Sequence, residues 1–225
     1  ALERIHQQSA QEFARWGQAL AQALGQPLQL AYQPRLPQTG TLTLVGRKDF
    51  AGDAGQPAVI LHFSLPDHGW PRFVAGDLLG IVPPGEQPVP RYYSLASGAR
   101  DGFVEICVRR MPDGVCSNYL HGLLAGESVQ AFIRPNPGFV LCGSRRPVLL
   151  IGAGTGVAPL AGFIRGNGQR RPMHLYYGAR DQKRDFYFGP ELQAWRDEGR
   201  LAELHTTFSR VPDGGGYVQE ALRRD

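Results

Sequence analysis

Residues 148–159, VLLIGAGTGVAP, constrain this chain more than any other stretch. An unbroken apolar run passes straight into three glycines at alternate positions, Gly152, Gly154 and Gly156. A continuous aliphatic run fits a strand buried on both faces of a parallel sheet. Glycines at its end let the backbone turn tightly into a helix, whose free amides and positive dipole attract a pyrophosphate. The spacing is GxGTG rather than the GxGxxG of dehydrogenases, and Pro159 falls in the first helical turn, where a missing amide costs nothing. Such turns also serve packing alone, so the motif by itself leaves the ligand open.

The rhythm on either side of this turn differs. Downstream, apolar runs alternate with helical patterns: MHLYYG with GPELQAWRDEG, then LHTTFS with YVQEALRR, as in βαβ units. Upstream, between residues 41 and 134, come six short runs bounded by Gly, Pro and Asp: TLTLV, AVILHFSL, DLLGIV, RYYSLA, FVEICVRR and SVQAFIR. They read as an antiparallel barrel or sandwich, interrupted by one helical segment, SNYLHGLL. Over residues 8–24, Phe13, Trp16, Leu20 and Leu24 recur at spacings of three and four, an amphipathic helix that Gly25 and Pro27 end. The expected organisation is an N-terminal helix and linker (1–35), an antiparallel β-barrel (36–143), and an α/β parallel-sheet nucleotide-binding domain (144–225).

Charge and cysteine usage exclude several classes. The net charge of +4 comes from scattered arginines with no dense basic run, which argues against a nucleic-acid partner. Three cysteines, Cys107, Cys116 and Cys142, lack CxxC spacing, and the six histidines lack HExxH spacing, so no metal site is expected and a reducing, cytoplasmic setting fits. No apolar window reaches the length of a membrane span, so membrane anchoring would come only from sequence upstream. Asp181, Lys183, Arg184 and Asp185 read as a solvated loop of mixed charge.

Two more segments carry chemistry. In RYYS, alternation sends Arg91 and Tyr93 to one side and Tyr92 and Ser94 to the other. In GVCSN, small residues open a helix and offer a second anion site. Taken bare, both tyrosines could simply pack a barrel. Two anion sites on two domains nevertheless suit two dinucleotides better than one.

With RYYS, GVCS, GAGTGVAP, FSR and YVQ in this order, the chain resembles the ferredoxin-NADP reductase superfamily from about residue 40 to the end. It is most similar to the FAD/NADPH module of diflavin reductases of the cytochrome P450 reductase and sulfite reductase flavoprotein type. The resemblance implies that Arg91 serves the FAD pyrophosphate, that Tyr92 and Tyr93 border the flavin with Tyr93 stacking on the ring, and that Ser94 lies near flavin N5 as the catalytic residue. It implies that Gly114, Val115, Cys116 and Ser117 cap the FAD phosphates, while Cys107 and Arg109 lie along the cofactor. Gly152, Gly154, Thr155, Gly156 and Pro159 are assigned to the NADP phosphates and Arg180 to the nucleotide nearby. Ser209, Arg210, Tyr217 and Gln219 would form the adenosine 2'-phosphate pocket, favouring NADPH. The implied partners are an electron-acceptor protein or domain (FMN or flavodoxin-like, ferredoxin or haem), with FMN possible in an upstream domain.

The chain also departs from that pattern. No helical connecting domain separates DLLGIV from RYYS, and Gly215 stands where relatives often carry a lysine. The strand with a Cys-Gly pair and the terminal aromatic of relatives are missing after Asp225, so the α/β domain is expected to be C-terminally incomplete, with residues 148–152 at a sheet edge. A flavin-binding interaction module without turnover, and a flavin-free dehydrogenase, remain as alternatives.

Overall fold

A computed structural model describes residues 10–28, 37–53, 56–85, 89–211 and 215–224. The expected helix start at residues 8 and 9, most of the expected linker, and Gly214 of the glycine run lie outside the described residues. Residues 1–39 and 40–225 form two compact units. The first holds helix α1, Ala10–Leu24. It ends as its sequence implies: Gly25 takes the left-handed conformation at φ 66° and Gln26 N donates to Ala21 O across the turn. The Phe13 and Trp16 rings, one turn apart, lie 5.7 Å apart.

The second unit opens with six antiparallel strands: β1 Gly40–Asp53, β2 Gln56–Ser64, β3 Leu78–Val82, β4 Arg91–Ser94, β5 Phe103–Arg109 and β6 Ser128–Arg134. Their order is β4-β3-β6-β1-β2-β5. A bridge between Leu95 and Ile106, with Ala96 N donating to Glu105 O at 2.8 Å, joins the two ends into a barrel. Every second residue points inward: Leu42 and Leu44, Val59, Leu61 and Phe63, Leu79 and Ile81, all fully buried. Helix α2, Val115–Gly122, lies between β5 and β6.

Strand β5 is buried on both faces, and this is what positions the site. Val104, Ile106 and Val108 fill the barrel, whereas Cys107 belongs to the hydrophobic core of the following α/β half. Among the described residues that half contains three parallel strands in the order β7-β8-β9: β7 Val148–Ala153, β8 Met173–Ala179 and β9 Glu203–Phe208. Helices α3 (Val157–Arg165) and α4 (Gly189–Asp197) share a core with Leu150, Leu175 and Tyr177. Helix α5, Val218–Arg224, approaches the opposite face, where Val218 sits over Gly178.

The reading of residues 148–152 as a strand buried on both faces is corrected by this topology. Among the described residues β7 pairs only with β8, and Leu149 and Ile151 are 55% and 50% exposed. Apolar composition alone could not distinguish a central strand from an edge. The charged-loop reading of residues 181–185 is corrected in part, because Asp185 is only 4% exposed.

One buried polar side chain holds the connections of the α/β half. Asn167 Nδ2 donates to the carbonyls of Arg171 and Arg200, each at 2.7 Å, and its Oδ1 accepts from Arg171 N at 2.9 Å. At about 1 kcal/mol per bond, with the backbone groups left buried, Asn167→Ala is expected to cost about 2–4 kcal/mol, read as a lower urea midpoint at constant slope. A loss below about 0.5 kcal/mol would mean that water replaces the amide.

Candidate functional site

The site grows from two barrel segments that sequence separates and folding joins. Strand β4 pairs with β3 so that Leu79 faces Tyr93 and Leu78 faces Ser94. Tyr92 meets Phe132 edge-on at 6.0 Å, with the Arg134 guanidinium 4.9 Å from its ring centre. The Tyr93 hydroxyl lies beside the Cys116 thiol in the first turn of α2. Burial raises both groups above their ordinary pKa values, Tyr93 far above, so both are neutral. Arg91 is exposed, donates to the carbonyls of Val89 and Pro90, and adds positive charge near Cys116.

The N-terminus of α2 is bare backbone by construction. Asn118 N makes the first intrahelical bond, to Gly114 O, so the amides of Val115, Cys116 and Ser117 precede the helical ladder. A Cβ at Gly114 would collide with Ser117 Oγ, which is folded back to accept from Met111 N and donate to Gly114 O, both at 3.1 Å. The Ser117 hydroxyl therefore fastens the turn, leaving its amide as the group available to an anion. Asn118, not singled out in the sequence, reinforces the same turn: its Nδ2 donates to Met111 O and Gly114 O, and its Oδ1 accepts from Arg110 Nε at 2.7 Å.

Across the barrel wall, the glycine-rich turn faces β5. Gly154 takes φ 53°, a conformation that favours glycine, and Arg109 closes over the turn with Nη2 2.6 Å from where a Cβ would stand. Gly156 has nothing within 4 Å of its Cβ position, leaving open space beside the backbone. Gly152 answers to packing, since a Cβ would meet Leu160 of α3 at 2.8 Å.

Two cavities flank this contact. One of about 480 Å³ lies between the barrel and the α/β half, with Tyr93, Ser94 and Cys107 on one side and Thr155, Gly156 and Pro159 on the other. Tyr92 also borders it. The connector between the halves contributes Asn136 and Phe139. Sequence reasoning missed these two because only the folded connector brings them there; Asn136 is held by Asp77 and Gly76 from β3's approach. Burial raises the Cys107 thiol far above its usual range, so it is a neutral, apolar wall.

The second cavity, about 530 Å³, gathers the nucleotide-side residues. Arg180, Arg210, Ser209, Tyr217 and Gln219 line it together with Gly154, and Arg109, expected along the FAD, stands among them. Three guanidinium groups around one cavity suit phosphate oxygens. One carboxyl, Asp185, stands among them, and burial raises its pKa against the pull of Arg180. A carboxyl whose folded pKa is raised contributes stability present below the unfolded pKa and lost as pH rises through the folded one. Asp185→Asn is therefore expected to gain thermal stability over the parent as pH rises from the acidic range to neutrality, by roughly 2–4 °C per kcal/mol recovered. A gap between the two proteins that is constant with pH would refute this.

Arg91 and residues 114–117 border neither of these two cavities. No group of His, Cys, Asp and Glu suited to a metal occurs among the described residues, and no described helix is long and apolar enough to cross a membrane.

Known proteins share this arrangement. A family model for the oxidoreductase FAD-binding domain matches residues 54–132, and one for the oxidoreductase NAD-binding domain matches residues 150–225. NADPH oxidoreductase A of Dictyostelium discoideum is 35% identical over 149 residues, 60% of this chain and 24% of that protein. NADPH-dependent diflavin oxidoreductase 1 of Saccharomyces cerevisiae is 31% identical over 147 residues, 60% of this chain and 23% of that protein. The chain thus spans about a quarter of the length of these curated relatives. The ferredoxin-NADP+ reductase of Plasmodium falciparum, solved with 2'P-AMP, superposes with a TM-score of 0.69 at 17% identity, covering 83% of this chain and 79% of that one, a likeness of fold. The chain therefore carries an oxidoreductase FAD-binding domain followed by an oxidoreductase NAD-binding domain, in a fold shared with the ferredoxin-NADP+ reductase of Plasmodium falciparum.

Proposed function

We propose that this module takes a hydride from NADPH onto FAD and passes electrons singly to an acceptor protein or domain carrying FMN, an iron-sulfur centre or haem. The observation that carries the reading is the cavity between the halves, where Tyr93 and Ser94 face Thr155 and Gly156. It lets a ring held by the barrel meet a ring delivered by the glycine turn. FAD, when bound, supplies the conversion between a two-electron donor and one-electron acceptors.

FAD fits the residues present. The α2 N-terminus offers free amides with Arg91 nearby, and the open space at Gly156 admits a ligand against bare backbone. In this reading Tyr93, beside Cys116, orients the flavin ring, and the neutral Cys107 wall excludes water. Ser94 offers a hydroxyl to the reacting edge. Arg109 and Arg180 hold the nucleotide's pyrophosphate, while Ser209, Arg210, Tyr217 and Gln219 receive its 2'-phosphate.

The test is anaerobic mixing of the FAD-loaded chain with NADPH while following flavin absorbance near about 450 nm. Rapid bleaching supports the reading. Bound flavin that stays oxidised at saturating NADPH overturns it and favours a binding module.

A further inference from the structure

Helix α3 begins at the cavity between the halves and ends in an ion pair with the barrel. Arg165, its last residue, places Nη2 at 2.5 Å from Glu105 Oε2 and Nη1 at 2.7 Å from Ala96 O. The two side chains are 15% and 10% exposed. The guanidinium lies 5.1 Å from the Phe103 ring centre and 5.4 Å from that of Trp195, so it is sandwiched between a barrel residue and an α4 residue. His62 Nδ1 stands 3.7 Å from the other Glu105 oxygen.

Both barrel partners are two residues from the cavity wall. Ala96 lies two residues past Ser94, just beyond the end of β4, and Glu105 lies two residues before Cys107 on β5. The pair also closes a backbone loop, because Ala96 N donates to Glu105 O and Glu105 N to Ser97 Oγ. Strand β5 therefore touches the α/β half at successive outward positions: Glu105 on Arg165, Cys107 in the shared core, Arg109 over Gly154.

We infer that Arg165 and Glu105 are positioning residues for hydride transfer, fixing the tilt of α3 so that Gly156 and Thr155 hold their distance from Ser94. The inference rests on reading the cavity between them as the transfer site. The helix is about 13 Å long, so a tilt of about 5° at the Arg165 end moves its other end by about 1 Å. A misplacement of that size costs up to about a hundredfold in rate.

The experiment uses the FAD-loaded 225-residue chain, with Arg165→Met, Glu105→Gln, the double variant and Arg165→Lys. Expected is a fall of about tenfold or more in the flavin-bleaching rate at saturating NADPH, with half-saturating NADPH within about twofold of the parent and FAD content unchanged. The double variant should be no slower than the slower single one, and Arg165→Lys should recover part of the rate. Rates equal to the parent's, strictly additive losses, or losses that merely track FAD content overturn the inference. If Arg165→Met does not fold, Arg165→Lys and Glu105→Gln, which keep charge and shape respectively, decide the outcome.

Hydrogen exchange on the FAD-free chain separates this inference from the proposed function. The Ala96 and Glu105 amides should exchange about tenfold faster in Glu105→Gln or the double variant than in the parent, with β1 and β2 amides unchanged. A parent that fails to bleach overturns the functional reading, and unchanged exchange at Ala96 and Glu105 overturns the clamp independently of it.

Discussion

Gly162→Ala is expected to destabilise the protein by about 1–3 kcal/mol, although alanine is the better helix former by roughly 1 kcal/mol. Gly162 lies inside α3, and a Cβ there would stand 2.6 Å from Ala75 Cβ, 2.7 Å from Ala96 C and 2.8 Å from Ala96 O. Two of these are backbone atoms of the segment that follows Ser94, which cannot swing aside as a side chain would. The helix must lift from the barrel instead. Gly122, at the end of α2, has nothing within 4 Å of its Cβ position, and Gly122→Ala should stabilise by up to about 1 kcal/mol. Urea midpoints of the two variants should therefore move in opposite directions. A Gly162→Ala protein as stable as the parent would mean that the halves slide freely on each other and would remove the physical basis for a fixed cavity.

The second large effect falls on rate rather than stability. Ser94→Ala is expected to slow flavin bleaching by NADPH about 10–100-fold while FAD stays bound. Ser94 ends β4 and borders the cavity shared with Thr155 and Gly156, whereas Arg91 and the α2 N-terminus, proposed to hold the FAD phosphates, do not border it. Losing one hydroxyl therefore leaves the holding groups intact. Stopped-flow reduction with flavin content measured in parallel tests this, and unchanged reduction kinetics would remove Ser94 from the chemistry.

The two halves were legible in the sequence for different reasons. Alternating inward residues such as Leu42, Leu44, Val59 and Leu61 mark barrel strands because a pleated strand buries every second side chain. The glycine turn was legible because Gly154 takes a conformation that other residues rarely adopt. Asn118, Asn136 and Asp185 were not, because nothing local distinguishes a polar residue that caps a turn or lines a cavity from one in solvent. Asp185 lies in a run of charges and its burial depends on Tyr187 and the β8–α4 connection folding over it.

The sequence by itself determined the order of elements and the bare backbone at the glycine turn and at the α2 N-terminus, since these depend on neighbours a few positions apart. The edge position of residues 148–152 was already expected from the resemblance, and Leu149 and Ile151 are exposed there. Tertiary structure alone decided that Tyr93 reaches Cys116, that Arg109 covers Gly154, and that Arg165 meets Glu105 sixty positions away. Such contacts follow from which outward face of β5 meets which helix, and that choice is made by the packing of the whole chain.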